Sequence, residues 1–298
     1  MGKVNPYHQE LLSKHFADSI QFDSWYMLNN GKINGESTNT ISLTGNVTAC
    51  ICFADTLPMS YIVNVEKNSQ VSLYFCYAEN ANSELHINCL EDSICRHVIM
   101  QVSNSSQNIY VLQRKNSVYN AQIFQLGGNN DAIGLHVRKD AENANTHLSG
   151  VFFPKDKEKY SIYTKVTHKK PNCETQELFR GIADNMGSGS FSGLIYVAQD
   201  AQKTTAHQQN RNILLSPDAH IHSEPQLEIY ADDVICNHGS STGQIDEEAL
   251  WYMQARGINK ATALHMLVSG FANDVLDLIE NDSLREVVSK KISEKLAK

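Results

Sequence analysis

The chain has 298 residues, with 25 Lys and Arg against 33 Asp and Glu, for a formal net charge of −8 at pH 7. That balance argues against nucleic acid as the partner, because phosphate binding is driven by clustered cations that release counterions. Charged residues are only 19% of the chain, and its polarity comes instead from 27 Asn and 27 Ser, which favour turns and caps over helix interiors.

Residues 5–20 predict a short helix, with Asn5 as N-cap, Pro6 in the first turn, and Leu11, Leu12, Phe16 and Ile20 on one side. The first 20 residues hold no apolar signal core, and no run approaches the roughly 20 apolar residues that cross a bilayer. A cytoplasmic chain with no membrane partner is therefore expected. With its lead-in, this segment forms an N-terminal region over residues 1–40.

From about residue 41 the pattern changes to short apolar or alternating runs broken by Asn, Gly, Asp and Ser. Strand cores are expected at 49–53, 61–65, 72–77, 85–89, 97–102, 109–112, 121–126, 134–137, 148–153 and 161–166, with onsets every 11 to 14 residues. Further cores follow at 193–197, 212–216, 226–230 and 233–238. No helix between them is long enough to serve as a crossover, which rules against a doubly wound sheet. An antiparallel sandwich or barrel and a parallel β-solenoid remain. Tight hairpin signals are few, at Asn34-Gly35 and Gly127-Gly128, and stacked Asn at rung corners would explain the Asn excess, so the pattern favours a solenoid over residues 41–246.

Asp246 then caps a helix that runs from Glu247 to about Arg256 and closes at Gly257. A second helix from about Lys260 to Glu280 carries Leu264, Leu267, Val268, Phe271, Val275, Leu278 and Ile279 at helical spacing. A third opens with a capping box at Ser283 and Glu286, with Leu284, Val287, Val288, Ile292 and Leu296 on one stripe and Arg285, Lys290, Lys291, Lys295 and Lys298 on the other face. A helical domain of residues 247–298 is too small to bury these stripes alone.

Catalytic signatures are mostly absent. The stretch Gly187 to Gly193 lacks the lysine and spacing of a phosphate loop, fits no dinucleotide fingerprint or nucleophile elbow, and reads as a flexible corner. The seven cysteines (Cys50, Cys52, Cys76, Cys89, Cys95, Cys173 and Cys236) form no Cys-x-x-Cys pair and are odd in number, which favours reduced thiols over a disulfide framework or a zinc knuckle. Cys50 and Cys52 share one strand face, and core packing is the favoured reading. His220 and His222, between Pro217 and Pro225, are expected in a solvated corner. Cys236 and His238 have the i, i+2 spacing that puts a thiol and an imidazole on one side of a strand, which suits a soft metal or a sulfur atom; two ligands leave such a site open until a partner supplies more.

Residues 225–239, ending in Cys236-Asn237-His238-Gly239, closely resemble the SufB/SufD family of iron–sulfur cluster assembly scaffolds, as do Thr242-Gly243-Gln244 and residues 246–252. Residues 206–216 and 255–258 match other stretches of that family, and within it the details resemble the SufD branch: residues 209–215 contain no Cys, and Gly239 follows His238. The resemblance implies an all-β core folded as a right-handed parallel β-helix with helical ends. It also implies a non-catalytic subunit that works beside a SufB-like scaffold and a SufC-like ABC ATPase. The β-helix edge would pair with SufB, or with a second copy when the chain is alone. The helical domain would dock the ATPase through Leu264, Leu267, Val268, Phe271 and Val275. His238, with Cys236 in support, would lie at the SufB junction where a nascent iron–sulfur cluster forms, held transiently and shared with the partner, with no tightly bound cofactor. The rival readings are a carbohydrate-active β-helix enzyme, which the scarcity of Asp, Glu, Lys and Arg at the rung interval disfavours, and a metal-free structural homodimer.

Overall fold

The computed structural model describes residues 10, 15, 16 and 20–297. The helix expected over 5–20 lies mostly outside the described residues, but Phe16 and Ile20 from its apolar side are buried. The strands form two sheets. The first contains β1 (Ser24–Asn29), β2 (Lys32–Ile33), β4 (Asn46–Phe53), β6 (Gln70–Tyr77), β8 (Ile94–Gln101), β10 (Val118–Gln125), β12 (Asn145–Phe152), β14 (Glu174–Ala183), β16 (Thr204–Leu214) and β18 (Val234–Gln244). The second contains β3 (Thr40–Leu43), β5 (Met59–Val65), β7 (Ala81–Cys89), β9 (Ser105–Gln113), β11 (Asn130–Lys139), β13 (Lys159–His168), β15 (Ser188–Val197) and β17 (His220–Ile229).

From β3 to β18 consecutive strands alternate between the sheets, and within each sheet every strand pairs in parallel with the strand two places on. This is the parallel solenoid that the strand rhythm predicts. Its corners account for part of the asparagine excess. Asn68, Asn80, Asn116, Asn143, Asn172 and Asn185 turn the chain in the left-handed region at φ between 53° and 60°, where asparagine is tolerated and most residues are not. They also stack: Asn143 Nδ2 donates to Asn116 Oδ1 (3.0 Å), and Asn116 Nδ2 donates to Asp92 Oδ1 (2.8 Å).

Inward residues such as Phe53, Phe75, Ile99, Ile123, Phe152 and Phe179 fill the space between the sheets. A second apolar cluster lies on the outer face of the first sheet. There Met100, Phe124, Val151 and Phe153 are covered by Val268, Val275, Leu284 and Val288 of the C-terminal helices and Ile279 between them, and Cys50, Tyr74 and Cys76 lie in the same cluster with Phe16 and Ile20 of the lead-in. Much of the helical stripes that looked too large for their own domain is buried in this cluster.

The helices are α1 (Glu247–Ala255), α2 (Lys260–Leu276) and α3 (Asp282–Ala297), and among the described residues none is long and apolar enough to cross a membrane. Asp246 caps α1 by accepting from Ala249 N (2.9 Å). α2 ends four residues before Glu280, and α3 starts at Asp282 because Asn281, not Ser283, captures the Leu284 N–H (3.0 Å). Lys295, expected on the face opposite the apolar stripe, turns inward to Glu158 (2.5 Å).

Three strand readings are corrected. β14 escaped notice because Glu177 and Arg180, buried at 3% and 1% exposure, break its apolar pattern. The glycine-rich stretch is no flexible corner: Ser188–Val197 is β15, and a Cβ at Gly189 would meet Phe152 Cε2 at 2.7 Å, so glycine there admits the ring beneath it. His220 and His222 belong to β17 rather than to a loop.

Arg180 clamps α2 to the first sheet. Its guanidinium donates to Asp274 Oδ2 (2.5 Å), Gln209 Oε1 (3.0 Å) and Phe179 O (3.1 Å), with the Phe271 ring 5.8 Å away. Asp274, 58% exposed, can be left to water, whereas the guanidinium cannot. Asp274→Ala is therefore expected to cost about 2–3 kcal/mol and Arg180→Met less, since the first strands a buried charge and the second removes it. Urea midpoints with unchanged slope would read the difference.

Candidate functional site

The solenoid ends at β17 and β18, the last strands of their sheets. Up to β16 the inward half of each strand is buried, but β17 and β18 are half-buried at best along their length. No further rung covers their inner face, and each presents a row of unshared backbone groups along its free edge.

β18 pairs in register with β16, which sets Cys236 over Ala206, His238 over Gln208 and Ser240 over Asn210. Because Ala206, Gln208 and Asn210 are buried inward residues, Cys236, His238 and Ser240 share the inward side of the open end. Two residues of strand rise separate Cys236 from His238 by about 6.7 Å along the backbone. Cys236 is half-buried beside Leu227 and Val234, and this burial pushes its thiol upward, an effect partly offset by a backbone hydrogen bond at Ala206. His238 is exposed. Across the mouth, the Ser223 and Ser240 hydroxyls are 2.8 Å apart, and Ser223 also donates to Asn210 Oδ1 (2.7 Å).

The floor beneath these residues is polar, unlike the apolar interior of the early rungs. Glu177 Oε2 accepts from Gln208 Nε2 (2.8 Å) and Thr164 Oγ1 (3.0 Å), and burial, only partly offset by these bonds, raises its carboxyl to about 7. Deeper, Lys139 Nζ and His168 Nε2 both lie 2.8 Å from Thr175 Oγ1, and burial lowers the lysine to about 7. Glu177 Oε1, Gln208 Oε1, Asn210 Nδ2 and Asn212 Oδ1 are buried without a hydrogen-bond partner among the described residues. An imidazole and a thiol over such a floor can bind a soft ion or sulfur and exchange protons, but two side chains cannot complete the coordination of iron.

His220 and His222 are on the opposite, outward side of β17, where His222 faces Glu224 (3.6 Å), so they do not join Cys236 and His238. The five apolar residues of α2 are not brought together on a surface. Val268 and Val275 are fully buried against the first sheet, while Leu264, Leu267 and Phe271 are half-buried. The exposed large apolar side chains of the helical segment are instead Trp251 (79%), Tyr252 (59%), Leu278 (51%) and Met266 (50%), with the Arg256 guanidinium 4.4 Å from the Tyr252 ring centroid. The sequence reading of the longest stripe as the partner face did not single out Trp251 and Tyr252, an adjacent aromatic pair in a short helix.

A family model described as SUF system FeS cluster assembly, SufBD core domain, matches residues 54–271. The chain is 34% identical over 173 residues to the iron–sulfur cluster assembly protein SufD of Escherichia coli, covering 58% of this chain and 41% of that protein. It is 28% identical over 244 residues to a SufBD family protein of Synechocystis, covering 75% and 53%, and 31% identical over 178 residues to the chloroplastic protein ABCI7 of Arabidopsis thaliana, covering 59% and 38%. The chain thus spans about half, or less, of the length of these relatives.

Proposed function

The chain belongs to the SufBD core family of iron–sulfur cluster assembly proteins, and from that premise we propose that it is a SufD-like, non-catalytic scaffold subunit that pairs with a SufB-like scaffold and a SufC-like ABC ATPase. The observation that carries this reading is the uncovered last rung. β17 and β18 end the two sheets with no strand on their outer edges among the described residues, and a like solenoid could satisfy their free backbone groups by strand addition. Such pairing brings a second set of side chains over Cys236 and His238 and closes the half-open site. The nascent cluster is cargo there: His238 ligates it or accepts a proton at the junction, and Cys236 supports it. Co-expression with a SufB-like and a SufC-like subunit should yield one complex on size exclusion. A chain that elutes alone in the presence of both overturns the reading; if it elutes alone as a dimer, the same edge serves a homodimer.

The ATPase contact is assigned to the helical segment through Trp251 and Tyr252, flanked by Leu264, Leu267 and Phe271, while Val268 and Val275 hold α2 on the sheet. An exposed tryptophan beside a tyrosine is the kind of anchor that carries binding energy when a partner covers it. Trp251→Ala is expected to weaken ATPase binding by about 30-fold or more, the equivalent of 2 kcal/mol, without changing the melting temperature of the isolated chain. Unchanged affinity by calorimetry moves the contact elsewhere.

A further inference from the structure

Three cysteines far from the open end meet on the outer face of the first sheet. Cys50 and Cys52 are alternate residues of β4, and Cys76 stands in β6 directly beside Cys52 in the parallel register. Cys50 Sγ is 4.0 Å from both Cys52 Sγ and Cys76 Sγ, and all three sulfurs lie within 4.8 Å of one another. Their residues are at most 2% exposed. Nearby, the Phe16 and Phe22 rings pack edge-on against Tyr74 at 5.4 and 5.3 Å, and His15 Nε2 accepts from the backbone N–H of Tyr77, the residue after Cys76 (3.1 Å). The lead-in therefore packs against the strand that carries Cys76.

We infer that Cys50, Cys52 and Cys76 form a three-sulfur binding site for one copper(I) ion, beneath the lead-in and separate from the cluster-assembly edge. Two edges of the sulfur triangle are 4.0 Å and the third is at most 4.8 Å, so an ion equidistant from the corners lies no more than about 2.5 Å from each, close to a metal–thiolate bond length. Soft thiolate sets select copper(I), zinc or iron–sulfur clusters. Zinc takes four ligands in a closed structural site, and no fourth His, Cys, Asp or Glu joins the group among the described residues. A cluster spreads its ligands over several irons, and sulfurs crowded within 4.8 Å leave no room for its core between them. Copper(I) accepts three sulfurs.

Binding is a displacement without redox change: each S–H bond is replaced by an S–Cu bond, its proton leaves to solvent, and copper enters and stays as copper(I). Because ligation releases the thiol protons, the affinity rises with pH. Because the ion binds the folded state, it also raises the melting temperature.

The test uses the full chain carrying Cys236→Ser, which removes the half-exposed thiol of the assembly edge and keeps this inference independent of the proposed function. Copper(I) is added anaerobically as its acetonitrile complex against bicinchoninate, and copper X-ray absorption reads the ligands. One copper per chain with three sulfurs at about 2.3 Å is the expected result. Adding Cys76→Ala should weaken binding by more than about 100-fold, since even outer-shell partners of metal ligands are worth 10- to 100-fold. No retained copper, two or fewer sulfurs in the Cys236→Ser chain, or retention unchanged by both Cys76→Ala and Cys50→Ala each overturns the site. The absorption measurement needs no change in the core and stands even if the alanine variants fold poorly.

Discussion

Replacing His238 with alanine is expected to lower cluster yield by about tenfold or more in an assembly reconstituted with the proposed scaffold and ATPase partners, while the complex still forms. The imidazole is exposed on the last strand and makes no hydrogen bond among the described residues, so the chain itself should lose no more than about 0.5 kcal/mol of stability. Its position over Gln208 at the mouth makes it the exposed titratable group of this face. A ligand or a proton acceptor there contributes at least the tenfold that positioned acid–base and metal-supporting groups usually supply. Cys236→Ala should have a smaller effect on yield, because that side chain is already half-buried beside Leu227 and Val234. Normal yield from a well-folded His238→Ala chain within an intact complex removes the histidine from the chemistry.

The legible parts of this chain were those where one rule acted alone. The run 85–89 alternates because its rung buries one face, 74–77 stays apolar because both faces are covered, and several asparagines mark corners because the left-handed turn tolerates them. Cys236 and His238 were placed on one side of a strand by spacing, and the register with Ala206 and Gln208 agrees. What sequence reasoning missed had competing causes. β14 and the first half of β16 carry Glu177, Gln208 and Asn210 inward because the last rungs have a polar interior, so hydrophobic periodicity fails where the candidate site begins. The cover over the first sheet also had a signal that went unused. In 98–100 and 151–153 consecutive residues are apolar rather than alternating, as they are when a strand is buried on both faces. Such runs require a second layer, and the stripes of α2 and α3 are the segments able to provide it.

Val268→Asp puts that second layer to the most severe test. Val268 is fully buried on α2 between the outer face of the first sheet and α3, and a carboxylate there finds neither water nor a cation in its apolar cluster. The cost of burying it unpaired is about 4 kcal/mol or more, enough to lift α2 and α3 from the sheet even in the absence of any partner. Hydrogen exchange over Lys260–Leu276 and Asp282–Ala297 should then become fast, and Val151 and Phe153 should become exposed to an apolar dye. Met266→Asp, two residues away on the same helix but 50% exposed, should change stability by no more than about 0.5 kcal/mol. The pair separates two roles for the stripe. If Val268→Asp leaves exchange and stability of the isolated chain unchanged and abolishes ATPase binding, the stripe faces the ATPase and not the sheet. If it destabilises the chain alone while Met266→Asp does not, the apolar side of α2 belongs to the fold, and the partner surface must be made from residues that remain exposed, with Trp251 and Tyr252 foremost.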